Sequence, residues 1–123
     1  MVQSISQPMT KAKVHPWYSM AGVVFGKDKE GHTVRCLKHQ FKVRLKKITE
    51  DGAPYYFVDA PAFQGVLSQG QTMKDALKMI IDALECSFEA YRNLGETFVP
   101  APISEIHPLD NAIIKAVTVL ERI

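Results

Sequence analysis

The side chains that could do chemistry are few and scattered along this chain of 123 residues. No histidine belongs to an HExxH motif or to a Cys/His pair at zinc spacing. No serine lies in a GxSxG motif, and the glycines form neither a dinucleotide-binding nor a P-loop pattern. No sequence motif therefore indicates a catalytic residue, a metal ligand or a cofactor. We expect the four histidines on the surface or at caps: His15, His32, His39 and His107.

Asp59 is the strongest candidate for an acidic catalytic group. It ends a predicted strand, a place where metal-dependent nucleases hold a carboxylate. The acidic residues that follow have a simpler explanation, because Asp75 falls at a predicted helix start and Asp82 and Glu85 on the solvated helix face. A nuclease anchored on Asp59 is therefore the third hypothesis, after two kinds of binding protein.

A basic strand could contact nucleic acid. Residues 41–48 alternate apolar and basic side chains with period two, which predicts a strand with one buried and one solvated face. The basic face could follow a phosphate backbone, with Tyr55 or Tyr56 as a stacking surface. Lysines on an exposed strand also prevent aggregation, which explains them without a ligand. The candidate contacts are Lys42, Arg44, Lys46 and Lys47.

The formal charge of +2 conceals an uneven distribution. Residues 1–47 carry ten Lys/Arg against two Asp/Glu, giving +8, while residues 48–123 carry five against eleven, giving −6. Such asymmetry indicates two surfaces of opposite potential that could steer charged partners. The alternative is that both surfaces are merely solvated.

Composition indicates one globular domain in a reducing compartment. Apolar residues make up 46% and charged residues 23%, as in folded soluble proteins. No apolar run is long enough to cross a bilayer, and the N-terminus lacks the plan of a secretory signal. Cys36 and Cys86 are not spaced as a CxxC pair, so we expect free thiols. These features predict a cytoplasmic protein without a membrane partner.

The secondary structure follows from periodicity. Residues 1–16 predict an arm, and residues 17–25 and 33–37 predict a hairpin around a polar turn. Strands are predicted at 41–48, 55–58 and 65–70, before a long helix at 72–94 with Thr72 as N-cap and Gly95 after its last turn. Residues 112–120 favour a strand because they are rich in β-branched side chains, although Asp110 could instead cap a helix.

These elements predict an α+β fold. Its antiparallel-rich sheet has three to five strands in the order β-β-β-α-β, with one long helix packed on one face and an N-terminal hairpin in front. We assign residues 1–40 to the arm and hairpin, as part of the same domain, and residues 41–123 to the main body of that domain.

The order of residues between the second strand and the helix is similar to that of a known protein family. The strand runs into a proline and a glycine, followed by a short strand, a Gln-Gly turn and a Thr-capped helix with an early alanine. A glycine and the run Val-Pro-Ala-Pro at 99–102 follow the helix. This arrangement over residues 41–102, about half of the chain, resembles the HicB antitoxin family. The residues that carry it are Pro61, Phe63, Gly65, Gln69, Gly70, Thr72, Ala76, Gly95, Pro100 and Pro102.

The resemblance implies a partial, degraded ribonuclease-H-like fold without catalytic carboxylates. It also implies a homo-oligomer, a dimer or larger, that binds a HicA-type RNA-cleaving toxin and covers its active site. Many members carry a C-terminal DNA-binding module, but only three residues follow the last predicted strand here, so we do not expect one. The leading hypothesis is a HicB-like antitoxin or antitoxin-derived binding protein without enzymatic activity. The alternative is a nucleic-acid-binding module that uses the basic N-terminal half.

Overall fold

The computed structural model describes residues 14–49 and 51–123, which form a five-stranded antiparallel sheet and one long helix. The predicted α+β class is therefore confirmed, and the last segment is a strand. Most of the predicted arm, residues 1–13, lies outside the described residues. In chain order the elements are β1 Tyr18–Lys27, β2 Thr33–Ile48, β3 Tyr55–Asp59, β4 Leu67–Gly70, α1 Met73–Leu94, a 3₁₀ turn Ile103–Glu105 and β5 Ile113–Arg122.

The 16-residue strand β2 organises the sheet. Its N-terminal part pairs with β1 on one edge, and β5 pairs with residues 36–45 on the other. On the same edge of β2 as β1, but further along the strand, β3 pairs with residues 44–48. β4 then pairs with the other side of β3. The prediction of separate strands at 33–37 and 41–48 is wrong, because Lys38, His39 and Gln40 pair with neighbours on both edges.

The core lies between the sheet and α1. The alternation predicted for β2 buries Phe41, Val43 and Leu45 to 1% exposure or less. The facing stripe of α1 has the spacing of one helical face. Its fully buried members are Ala76, Ile80, Leu84 and Phe88.

Both ends of α1 are capped by hydrogen bonds. The Thr72 hydroxyl accepts the Asp75 N–H at 3.1 Å. After the last turn, Gly95 has φ +73°, and the Glu96 N–H donates to the Tyr91 carbonyl at 2.8 Å. Glycine takes this left-handed conformation at little cost. Along the described parts of the chain, no helix has the length and apolar character that a membrane span requires.

Candidate functional surfaces

The turn between β3 and β4 is built from the predicted motif residues. Pro61 is buried, and the turn is closed by N–H groups of Phe63 and Val66, which donate to the carbonyls of Ala60 and Phe63 at 2.9 and 3.3 Å. Gly65 has φ +85°, a backbone conformation that residues with a side chain rarely adopt. The proline and the glycine therefore shape a chain reversal.

The side chain of Phe63 anchors that turn in an aromatic cluster. Its ring stacks on Phe98 at 4.5 Å and meets Phe88 edge-on at 5.2 Å, with Tyr91 at 5.4 Å. Such aromatic pairs contribute free energy in addition to what the burial of their surface contributes. The cluster joins the turn, the helix and the segment after the helix.

The segment after the helix is tied back to the same turn. The Ala101 N–H donates to the Ala62 carbonyl at 2.8 Å, and both residues are buried. Pro100 is half-buried and Pro102 exposed on either side of this contact. The Pro-x-Pro element therefore holds the chain against the motif turn as it leaves the helix.

Gly70 lies where the sheet and the helix come closest. A Cβ atom at this position would stand 2.4 Å from the Ala76 backbone nitrogen. Ala76 itself is fully buried, and the neighbouring Gln69 is exposed on β4 opposite Phe57. Apart from Gln69, the motif residues thus lie in turns, caps and packing contacts, and none of the ten has an ionisable side chain.

The four predicted nucleic-acid contacts are divided by the pleat of β2. Lys42 is exposed, while Arg44 and Lys46 are half-buried on the same side of the strand. Lys47 follows Lys46 directly, so its side chain points to the opposite side. The residues beside Lys46 and Arg44 on β3 are Phe57 and Asp59.

Arg44 is engaged in a network of its own. Its Nε and Nη2 atoms donate to the two carboxylate oxygens of Asp59 at 3.0 and 2.7 Å. Its Nη1 donates to the His107 carbonyl, and the guanidinium lies 5.8 Å from the centre of the Trp17 ring. The hydrogen bonds to Asp59 raise the pKa of Arg44. Three of the five guanidinium N–H donors are thus engaged within the chain, which leaves Arg44 less free than Lys42 to contact a phosphate.

The same network occupies Asp59, the anchor of the nuclease hypothesis. Both of its carboxylate oxygens accept hydrogen bonds from a permanently charged guanidinium. A catalytic metal ion would have to compete with that cation for the same two oxygens. In the described ranges, one group of three possible metal-ligating side chains lies close together. It consists of Asp28, Glu30 and His32 and does not include Asp59. Asp28 is already used there, since its Oδ1 accepts the N–H groups of Glu30 and His32 in the β1–β2 turn.

His39 corrects the expectation that the histidines lie on the surface or at caps. It is 2% exposed and stacks on Phe88 at 4.2 Å. Its Nδ1 lies 2.7 Å from the Tyr18 hydroxyl, and its Nε2 lies 2.8 Å from Glu121 Oε1. Burial, with the Glu121 charge as a smaller cause, raises the pKa of Tyr18. This network links β1, β2 and β5.

The sequence carried a signal for the burial of His39. The alternation that buries Phe41 and Val43 places His39 on the same face when it is continued two residues back. The strand predicted at 41–48 begins two residues after His39, so the predicted alternation does not include this residue. A polar residue in register with an apolar stripe indicates a buried, hydrogen-bonded group.

A cleft of about 660 Å³ lies between the β1–β2 hairpin and the C-terminal half of α1. Its apolar floor includes Cys36, Phe88 and Leu120. Glu85, which lines the cleft, accepts the Leu120 N–H at 3.4 Å. Burial raises the pKa of Glu85, the Asp82 charge adds to this effect, and the hydrogen bond from Leu120 opposes it. Cys36 and Cys86 are free thiols, as expected.

The sequence is similar to a curated protein named Antitoxin HicB 1 from Photorhabdus laumondii subsp. laumondii. The two are 36% identical over 67 residues, which is 54% of this chain and 41% of that protein. The chain thus spans less than half the length of this relative. No profile of a known protein family matches the chain. The resemblance predicted from residues 41–102 is confirmed: over about half of its length, this chain is related to a HicB antitoxin.

Proposed function

We propose that this protein is a HicB-like antitoxin, or a binding protein derived from one, that inhibits a HicA-type RNA-cleaving toxin by direct contact. The observation that carries the proposal is the similarity to Antitoxin HicB 1. The placement of the motif residues supports it, because they serve packing and turns rather than a reaction. The protein acts in the cytoplasm, has no catalytic activity of its own and works as an oligomer with a degraded ribonuclease-H-like fold.

Charge supports the choice of partner surface. An RNA-cleaving toxin needs a basic surface to bind its substrate. Residues 48–123 carry a net charge of −6, and Asp82 and Glu89 are exposed seven residues apart on α1, on one side of the helix. Glu85 lies between them. We assign this acidic stripe, Asp82, Glu85 and Glu89, to the contact with the toxin.

Co-expression with a HicA-type toxin from the same genome tests the proposal. Growth should be rescued, and the two proteins should copurify. The double variant Asp82→Lys/Glu89→Lys should weaken the complex, whereas Lys74→Glu, which changes an exposed residue on the first turn of the same helix, should not. If the wild-type chain gave neither rescue of growth nor copurification, this partner would be ruled out.

A second candidate function is binding of single-stranded nucleic acid through the face of β2 that carries Lys42 and Lys46. The observation that favours it is the position of Phe57 beside Lys46, which combines a cation with an aromatic surface. Filter binding against salt concentration tests it. Affinity should fall steeply as salt rises and should fall further in Lys42→Glu/Lys46→Glu. No binding at low salt excludes this function.

A further inference from the structure

Three strands of the sheet have an edge that no other described strand covers: β1, β4 and β5. Uncovered edges can pair with other chains, and proteins protect them by short length, charge or cover. β4 is only four residues long. At the C-terminal end of β5, helix side chains occupy backbone groups, because Glu85 accepts the Leu120 N–H and Arg92 donates to the Arg122 carbonyl at 3.1 Å.

β1 is the exception among these edges. It is ten residues long, and residues 18–26 contain no charged side chain. Its large apolar side chains are open to solvent, with Met20 54%, Val23 51% and Phe25 73% exposed. A long, apolar, uncharged edge favours pairing with another strand. A bulge between Met20 and Gly22 is the one protective feature of β1 within the described residues.

We propose that β1 pairs antiparallel with β1 of a second copy of this chain, across a two-fold axis near Gly22 and Val23. If the full strands pair, Phe25 faces Met20 of the other copy, and Lys27 faces Tyr18. No like charges then lie opposite each other, which is the condition for a stable cross-strand pair. Because the bulge takes one residue out of the ladder, the two Lys27 residues lie eight positions apart along the pair, about 27 Å, which is well beyond the screening length of physiological salt.

The charges around β1 favour a second copy over the basic toxin as the occupant of this edge. Near the turn end of the hairpin, Lys27, Lys29 and Arg35 stand against Asp28 and Glu30, so that end carries a net charge of +1. A basic partner would be repelled by this positive charge if its own cations came close to that end. The two-fold arrangement instead moves the two sets of cations to opposite ends of the pair. This interface gives the predicted oligomer a location, and its test does not depend on the toxin.

Sedimentation velocity of the full chain over a concentration series tests the interface. The wild-type chain should form a species of twice the 13.8 kDa chain mass. Phe25→Lys places a cation on each side of the pair and should weaken dimerisation by about tenfold or more, without loss of folding, because Phe25 is exposed. Val99→Lys, at a side chain that is 75% exposed elsewhere, is the matched control and should leave the dimer intact.

A wild-type chain that stays monomeric at every concentration overturns the proposal. So does a Phe25→Lys variant that dimerises like the wild type, or a Val99→Lys variant that dissociates as strongly. A cysteine pair gives a second readout in a Cys86→Ser background. Met20→Cys/Phe25→Cys should form a disulfide-linked dimer on oxidation, since the two positions are too far apart in one strand to bridge. Absence of that covalent dimer contradicts the pairing.

Discussion

The helix-packed half of the sheet and the N-terminal hairpin use similar strands with opposite results. In the first, Phe41, Val43 and Leu45 lie against α1 and are almost completely buried. In the second, Val23 and Phe25 point into solvent. β5 forms a continuous ladder with β2, and the ladder between β1 and β2 has a single bulge, so the main difference lies in what covers the side chains. Burial against a helix stabilises one region, whereas the other depends on pairing with β2 and on a few polar contacts.

This difference separates residues that hold the fold from residues that are free to bind. A side chain already buried in one chain cannot gain much from a partner, but an exposed Phe25 can. The following predictions test that separation, from the largest expected effect to the smallest.

The two regions should respond very differently to loss of a phenylalanine. Phe88→Ala, at 1% exposure within the aromatic cluster, should lower the free energy of unfolding by about 3–5 kcal/mol. Phe25→Ala is the matched control at 73% exposure and should change it by less than about 0.5 kcal/mol under conditions that keep the chain monomeric. Urea denaturation measures both. Equal losses would show that the hairpin is packed like the core.

Glycines in the two regions should also differ. Gly70→Ala pushes a Cβ into the Ala76 backbone, which cannot move without shifting α1, and should cost about 1–3 kcal/mol or more. At Gly26, a Cβ would lie 3.3 Å from the Cys36 sulfur and 3.4 Å from Leu120, both adjustable side-chain atoms. Gly26→Ala should therefore be much milder by thermal denaturation. A harmless Gly70→Ala would contradict the close helix approach.

The Tyr18–His39–Glu121 network should matter at the junction of the two regions. Tyr18→Phe leaves a buried ring nitrogen of His39 without its partner, which should cost about 1–3 kcal/mol. Hydrogen exchange should become faster in β1 than in α1. Tyr55→Phe removes a hydroxyl that makes no hydrogen bond to the described residues and serves as the control. Unchanged exchange in β1 after Tyr18→Phe would show that backbone pairing alone holds the hairpin.

The smallest effect concerns the cleft between the two regions. Because the pKa of Glu85 is raised in the folded chain, the fold binds this proton more tightly than the unfolded chain does. Relative to Glu85→Gln, the wild type should therefore lose stability as pH rises above the ordinary carboxyl value of 4.5, by less than about 1 kcal/mol after solvent screening. Glu89→Gln controls for loss of an exposed charge. A difference that grows toward low pH would contradict the burial of Glu85.

The sequence was most informative where a periodic pattern and its end signals agreed. Helix α1 was predicted from its apolar stripe, its threonine cap and its terminal glycine, all of which are local features. The last strand was harder to predict. Its β-branched residues favoured a strand, but Asp110 in front of them could also have capped a helix. Pairing with β2 decides it, and that contact lies about eighty residues away along the chain.

The ionisable groups show where sequence was insufficient. Lys42 and Arg44 look alike in an alternating strand, but the guanidinium of Arg44 is held by Asp59 from β3 and by the His107 carbonyl. The network around His39 joins residues up to 103 positions apart, from Tyr18 to Glu121. Pairings of this kind depend on strand register, which is not written in the local pattern.

The most direct test is an RNA cleavage assay with a purified HicA-type toxin from the same genome. We expect that the chain alone leaves RNA intact, with or without divalent metal ions, and that adding it to the toxin abolishes cleavage at a fixed stoichiometry. Cleavage of RNA by the chain alone that is lost in Asp59→Ala would contradict its assignment as a binding protein, and undiminished toxin activity in its presence would contradict its assignment as an antitoxin.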